Sequence, residues 1–401
     1  MGAGGQAYRQ LTLLVTGTSL RQADSSAGHI APAALDERRL SRAFRHCPSG
    51  HLPGLRAARS GRERRRHING PKFGEGRFYL TANLFAVAFG VAGLAQAWST
   101  VTRLASVSDW PGNALFIVAA VLWLITLAGY LANVAAQRRW KTELSDPTFG
   151  PFTSLIVIVP MLLGVPLAEQ AKGAGEVVFG CGAVLTVLTG AWVTGEWITL
   201  DGDIRRWHPG YFLPTAAGGL LAGGASAALG LTTLSHVLFG LGVGSFVVLA
   251  SIISLRLFVV HTLPPPLLPT MAIELAPPVV AGNAWFAING GRVDMPAAIL
   301  AGFAALMLLV QFRLIPLYKT APFGPGYWAF SFPFAAAVTY GVHWLAAEHV
   351  PGGPALGYAL VGVLTAGFAL LAARTVVGLV NGTFFPRVAP ADQAGAAPAG
   401  S

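Results

Sequence analysis

From Phe78 to Val380 the chain is a near-unbroken succession of about ten apolar stretches, each long enough to cross a ~30 Å hydrocarbon layer as a helix. The fold class expected is therefore an all-α polytopic membrane protein with ten transmembrane helices. Composition points the same way. With 54% hydrophobic and 11% charged residues and a mean hydropathy of +0.58, a soluble chain of 401 residues would not stay in solution.

The net charge of +10 is localised. Of 27 Lys and Arg, 14 fall in residues 1–77 against five acids, while the remaining residues carry 13 bases and 12 acids. Nucleic acid is thus not an expected partner, and Arg62, Arg64, Arg65 and Arg66 read as a cytoplasmic stop facing lipid headgroups before the first span. Three regions are expected. Residues 1–77 form a basic, disordered cytoplasmic tail, for which an over-extended start is the alternative; residues 78–380 form the transmembrane domain; residues 381–401 form a low-complexity cytoplasmic tail. Gln10–Leu20 is similar to a short signal-peptide core but lacks a convincing cleavage site. Cys47 and Cys181 are the only cysteines, one in the tail and one in a span, so neither a disulfide framework nor a thiolate metal site is expected.

Spans are predicted at roughly 78–98, 112–136, 150–170, 175–199, 211–230, 233–257, 266–288, 296–316, 325–346 and 354–380. Ten spans place both termini on one side. The even-to-odd connections carry Arg138, Arg139, Lys141, Arg205, Arg206, Arg256, Arg313 and Lys319, against Arg103, Lys172 and Arg292 in the others, which predicts both termini in the cytoplasm. Asn381-Gly382-Thr383 then faces the cytoplasm as an incidental glycosylation motif. Helix breakers concentrate in odd spans: Pro160 and Pro166 in the third, Pro214 with Gly218 and Gly219 in the fifth, Pro277 and Pro278 in the seventh, Pro333 in the ninth. Backbone groups freed by proline are tolerated only where they face protein or a watery cavity, so the odd helices are expected to form an inner ring and the even ones an outer ring.

Few ionisable groups lie within the spans. Glu196 and Glu274 are internal; His236 and His343 lie near predicted ends and are expected to be interfacial. Glu274, about one turn before Pro277, is the one placed to tune the field of an inner path. There is no relay of Asp, Glu or His, no nucleophile with a base and no metal cluster, so an enzyme is not expected and no cofactor is implied. Small residues, freed carbonyls and aromatics suit an ion that binds weakly enough to leave. Cytoplasmic Arg and Lys at one mouth favour anions.

Three blocks carry a resemblance. Ile273-Glu274-Leu275-Ala276-Pro277-Pro278, followed by Ala284-Trp285 and Asn289-Gly290-Gly291, resembles the seventh helix of the TehA-type tellurite-resistance/dicarboxylate transporter family. His208-Pro209-Gly210-Tyr211-Phe212-Leu213-Pro214-Thr215 resembles the start of that family's fifth helix. Pro322-Phe323 with Tyr327-Trp328-Ala329-Phe330-Ser331-Phe332 resembles its ninth, and the Phe332-Pro333 step is similar to plant slow-type guard-cell anion channels of the same superfamily. The resemblance spans roughly 78–380. It implies five helical hairpins around a central pore lined by odd helices, a homotrimer with one pore per protomer, and Phe332 as the phenylalanine that blocks the pore. Pro160, Pro214, Gly218, Gly219, Pro277, Pro278, Phe330 and Pro333 are the expected pore-lining and kink residues.

This sequence departs from the family in places. Thr81, Asn83, Leu84, Phe85 and Ala86 stand where the first helix usually has a proline followed by a Gly-aromatic-Phe-Gly run. Pro160 is displaced by about one turn, with Val157 at the aligned place, and Ala250 replaces an acidic residue. The function expected is a passive, anion-selective channel of the cytoplasmic membrane gated by Phe332. Its rival is a secondary exporter of tellurite, sulfite or a dicarboxylate, with or without coupling to protons.

Overall fold

The computed structural model describes residues 80–137, 146–199 and 203–385. The expectations placed on the 1–77 tail, including Cys47 and Gln10–Leu20, lie outside the described residues, as do Arg138, Arg139, Lys141 and the C-terminal tail from 386 on. The described residues contain no strand. They fold into α1 (Phe85–Leu104), α2 (Trp110–Gln137), α3 (Leu155–Gln170), α4 (Lys172–Thr199), α5 (Gly218–Ala228), α6 (Thr232–Val259), α7 (Ala276–Asn289), α8 (Met295–Tyr318), α9 (Ser331–Ala347) and α10 (Gly353–Val380).

Eight of these segments are long and apolar enough to cross a membrane; α5 and α9 are not among them. The reason is chemical. Helix α5 is short and rich in glycine, while α9 carries Ser331, Thr339, Tyr340, His343 and Trp344, side chains that fit a helix surrounded by protein rather than lipid. Burial separates the two sets. The spans of α1, α3 and α7 are 78%, 50% and 72% buried within the protein, whereas those of α2, α4, α6, α8 and α10 are 11%, 33%, 22%, 11% and 17% buried. Apolar side chains such as Ile117, Val184, Val247, Ile299 and Val363 on even helices point outward, as lipid-facing residues do.

Each odd helix is preceded by a turn that is not α-helical. A 3-10 turn at Ala82–Leu84 precedes α1, Gly150–Ser154 precedes α3, Pro265–Leu275 precedes α7 and Pro325–Phe330 precedes α9; a 3-10 turn at Pro209–Phe212 and a π turn at Leu213–Ala217 precede α5. The prolines explain most of this. Pro277 and Pro278 occupy the first turn of α7, and Pro333 is the third residue of α9, where a helix has no use for the missing N–H. They start helices rather than break them. Helix α3, by contrast, runs uninterrupted through Pro160 and Pro166. The turn before α1 forms without any proline.

Packing follows a regular order. Helix α1 packs on α3, α3 on α5, α5 on α7, α7 on α9, and α9 back on α1, while each even helix packs against the odd helix before it. In lipid, apolar burial gives helices little reason to associate, so close approach through small residues has to hold them. Between α5 and α6 a Cβ added to Gly219 would lie 2.6 Å from the Gly242 nitrogen, and one added to Gly242 would lie 2.4 Å from the Leu220 nitrogen. Between α3 and α4, Gly164 faces the Phe179 backbone and Gly182 faces Met161 in the same way.

The loop into α5 is pinned by His208, which is fully buried and lies outside the spans. Its Nδ1 accepts from the Gly210 N–H at 3.1 Å, which leaves Nε2 to donate to the Thr148 carbonyl at 3.1 Å. Its ring stacks on Phe152 and meets the edge of Tyr211. Burial pushes His208 from its ordinary 6.5 down to about 4, opposed by the Thr148 and Pro147 carbonyls and assisted by the Arg256 charge. The unfolded chain therefore protonates this residue near pH 6.5 and the folded chain only near pH 4. Between those values the unfolded state binds more protons, so stability falls as pH drops through that window, by about 3 kcal/mol from this residue, and is constant above it. Thermal unfolding in detergent should show this decline between pH 6.5 and 4.5, and His208→Gln, which keeps both hydrogen bonds without titrating, should flatten it; an unchanged pH slope in that variant would refute the assignment.

Candidate functional site

Phe332 sits at the centre of the packed odd helices, 3% exposed, with its ring stacked on Phe89 of α1 at a centroid distance of 3.7 Å and an interplanar angle of 14°. Two glycines make room for it. A Cβ on Gly90 would collide with the side chain of Ser331, and one on Gly93 would lie 2.9 Å from the Phe332 ring and 3.1 Å from the Ala335 Cβ. Gly90 and Gly93 are one turn apart on the same helix face, so α1 presents a flat groove into which the first turn of α9 is pressed.

Phe332 lines two cavities. The one toward the lead-in turns has a volume of about 30 Å³ and is lined by apolar side chains that include Ala86, Phe89, Phe152, Phe212, Pro277, Trp328 and Pro333. The one toward the C-terminal ends of the odd helices has a volume of about 180 Å³ and is polar in part, lined by Gln96, Ser99, Thr100, Arg103, Glu169, Asn283 and His343 among others. Phe332 and Val280 line both. The small cavity holds at most a water or two, and its walls give such water no partners; the large one accommodates a hydrated ion.

The large cavity is built by all five odd helices with Phe116 of α2, and α5 contributes only apolar and glycine positions such as Leu221 and Gly224. Helix α1 supplies Gln96, Ser99 and Arg103, α3 supplies Glu169, α7 supplies Asn283 and α9 supplies His343. Arg103 Nη2 pairs with Glu169 Oε1 at 2.8 Å, both side chains about half exposed or more. Asn283 Nδ2 donates to the Ala336 carbonyl at 2.9 Å, and its Oδ1 lies 3.0 Å from His343 Nδ1. Among the described residues no group of His, Cys, Asp and Glu is arranged to hold a metal ion.

The residues singled out by sequence fall into distinct places. Pro277 and Pro333 line the small cavity with Phe332. Neither cavity is lined by Pro160, Pro214, Gly218, Gly219, Pro278 or Phe330. Gly218 faces Thr186 of α4, Gly219 faces α6, and the Pro214 carbonyl meets Gly190 of α4. Phe330 belongs to an aromatic cluster with Tyr318, Tyr327 and Phe334. Glu274 lies in the 3-10 run before α7, close enough to Tyr318 for the two to interact electrostatically, and its Oε1 is buried without a hydrogen bond. His236 is exposed at the start of α6. His343, expected at an interface, instead lines the large cavity.

Sequence reasoning missed Phe89, Asn283 and the Arg103–Glu169 pair. The Phe89-Gly90-x-x-Gly93 pattern was the available signal, since glycines one turn apart mark a close-approach face. Gly93→Ala tests the fit of the ring. The added methyl must displace Phe332 by a few tenths of an ångström against Phe89, so a severalfold higher basal anion leak in proteoliposomes is expected, with a stability loss of about 1 kcal/mol. Unaltered leak and stability would show that the slot is loose.

Among the described residues, ten helices, eight of them long and apolar enough to cross a membrane, and buried odd helices that enclose two cavities define a multi-pass membrane protein. Residues 79–376 match the family described as SLAC1, voltage-dependent anion channel, and the chain belongs to that family. It is 27% identical over 310 residues to the tellurite resistance protein TehA homolog of Haemophilus influenzae, covering 77% of this chain and 93% of that protein. It is 24% identical over 318 residues to the S-type anion channel SLAH2 of Arabidopsis thaliana, covering 76% of this chain and 58% of that channel. The S-type anion channel SLAH3 of the same plant is 24% identical over 268 residues, covering 63% and 41%. The chain thus spans only part of the plant channels' length. Anion transport is the function that family membership supports.

Proposed function

We propose that this chain is a passive, anion-selective channel of the cytoplasmic membrane, closed by Phe332. The observation that carries this is that Phe332, stacked on Phe89, lines both cavities. In the proposed architecture five helical hairpins surround a central axis. The cyclic packing of α1, α3, α5, α7 and α9 and the outward apolar faces of the even helices support it. Both termini lie in the cytoplasm, residues 1–77 and 381–401 form tails outside the 78–380 channel domain, and the protein assembles as a homotrimer with one path per protomer. The small cavity then faces the cytoplasm and the large one the opposite side.

The gate works by exclusion. An ion crossing between the cavities would have to shed its hydration against Phe89, Val280 and Phe332, which return no hydrogen bonds. A ring that changes rotamer removes that barrier at small conformational cost. Small inorganic or organic anions are the permeant species.

A coupled exporter of tellurite, sulfite or a dicarboxylate is the second possibility, favoured by one observation: the Glu274 Oε1, buried without a hydrogen bond in the run that leads into α7. Two measurements on purified protein separate the two. In planar bilayers a channel shows reversal potentials that follow the anion gradient when chloride, nitrate and a bulky organic anion are exchanged. In proteoliposomes a coupled carrier moves anion uphill when only a pH gradient is imposed, and Glu274→Gln abolishes it. Uphill movement of that kind would displace the channel assignment.

A further inference from the structure

We propose that His343, held by Asn283, forms a binding site in the large cavity for a small anion that is taken up together with a proton. This rests on the anion-pathway function and names the species that occupies its outer chamber. The donor roles are fixed by the network. Asn283 Nδ2 is committed to the Ala336 carbonyl, so its Oδ1 faces His343 and the ring proton sits on Nδ1. Phe286 packs against the same ring and fixes its plane. Among the described residues Nε2 has no hydrogen bond to protein, and the residue lines the cavity.

A neutral His343 therefore presents a lone pair to the cavity, which repels an anion. Taking a proton from water turns Nε2 into a charged donor. The other polar groups make that proton decisive. Arg103 of α1 pairs with Glu169 of α3, so the residues lining the cavity carry no formal net charge until His343 is protonated. Helix α7 places only Asn283 and Phe286 against the ring, neither ionisable, and Tyr358 of α10 packs on Trp98 of α1. Ser99 also lines the cavity, but its buried Oγ lies toward Gly112 of α2 and leaves the His343 ring as the donor.

Anion binding and protonation are then linked, each favouring the other. The test uses purified full-length protein in weakly buffered detergent near pH 6, with proton uptake followed by a pH dye on addition of sodium nitrate, and sodium gluconate at equal ionic strength as control. Nitrate should draw up to about one proton per chain from solution, and gluconate severalfold less. His343→Gln should abolish the nitrate-linked uptake, and His236→Gln should leave it unchanged. Asn283→Asp, whose carboxylate holds the ring protonated beforehand, should reduce it severalfold and serves should His343→Gln fail to fold. Equal uptake in wild type and His343→Gln, or none in wild type, overturns the site. Absence of anion current in every variant, with nitrate-linked uptake intact, would instead remove the channel assignment while upholding the site.

Discussion

Phe332→Ala should turn a quiet protein into one that conducts anions, with current expected to rise about a hundredfold over wild type, equivalent to ~2.7 kcal/mol off the barrier. The substitution deletes a ring that lines both the small apolar cavity and the larger, partly polar one, and Phe89 loses the face it stacks on. Water then connects the two chambers, and an anion keeps part of its hydration throughout. Phe89→Ala should raise current less, because Phe332 still blocks the path. The double variant should fall short of the two effects combined, since the rings share one contact. Planar-bilayer recordings of folded protein decide it. Silence in Phe332→Ala would mean that the barrier lies elsewhere and that coupled transport describes the protein better.

Gly219→Leu should prevent folding. The α5 and α6 backbones meet at Gly219 and Gly242, and no side chain of any kind fits between them. Separating the helices also disturbs Gly223 against Phe239 and the α5–α7 contact at Gly224 and Ala284. Overpacking at a single well-packed site costs about 1–3 kcal/mol, and here several contacts fail together. The expected result is loss of the folded peak in size-exclusion chromatography in detergent. Gly240→Leu and Gly244→Leu are the controls, because nothing lies within 4 Å of either glycine on the exposed face of α6. A Gly219→Leu protein as stable as those controls would refute the close backbone contact.

The number and order of helices could be read from apolar length, because a membrane span announces itself over some twenty residues. The proline alternation was also legible, but its meaning shifted. Pro277, Pro278 and Pro333 sit in first turns, where proline is compatible with a helix, and the irregular geometry lies before them. Phe332 was found through the resemblance of the Tyr327–Pro333 block; composition alone could not choose it among 23 phenylalanines. Phe89 went unseen because stacking partners from α1 and α9 are more than two hundred residues apart. His343 was placed at an interface because linear distance to the end of a span was the only measure available. Its true setting depends on how far a water-accessible cavity reaches between the five odd helices, which no single stretch encodes. Gly218 and Gly219 were recognised as special, yet their role is toward α4 and α6, a direction that hydropathy cannot supply.

The 3-10 run from Pro265 to Leu275 has a geometric consequence for the thickness of the protein. A 3-10 helix rises ~2.0 Å per residue against ~1.5 Å for an α-helix, so eleven residues reach roughly 22 Å instead of roughly 16 Å. The seventh segment is thus stretched like a tightly wound coil pulled thin. The short α7 that follows it begins at a depth that α-helical residues of the same number would not attain, which is where Pro277 meets the small cavity. Relaxing that run into α geometry would retract the floor of the chamber by about one helical turn.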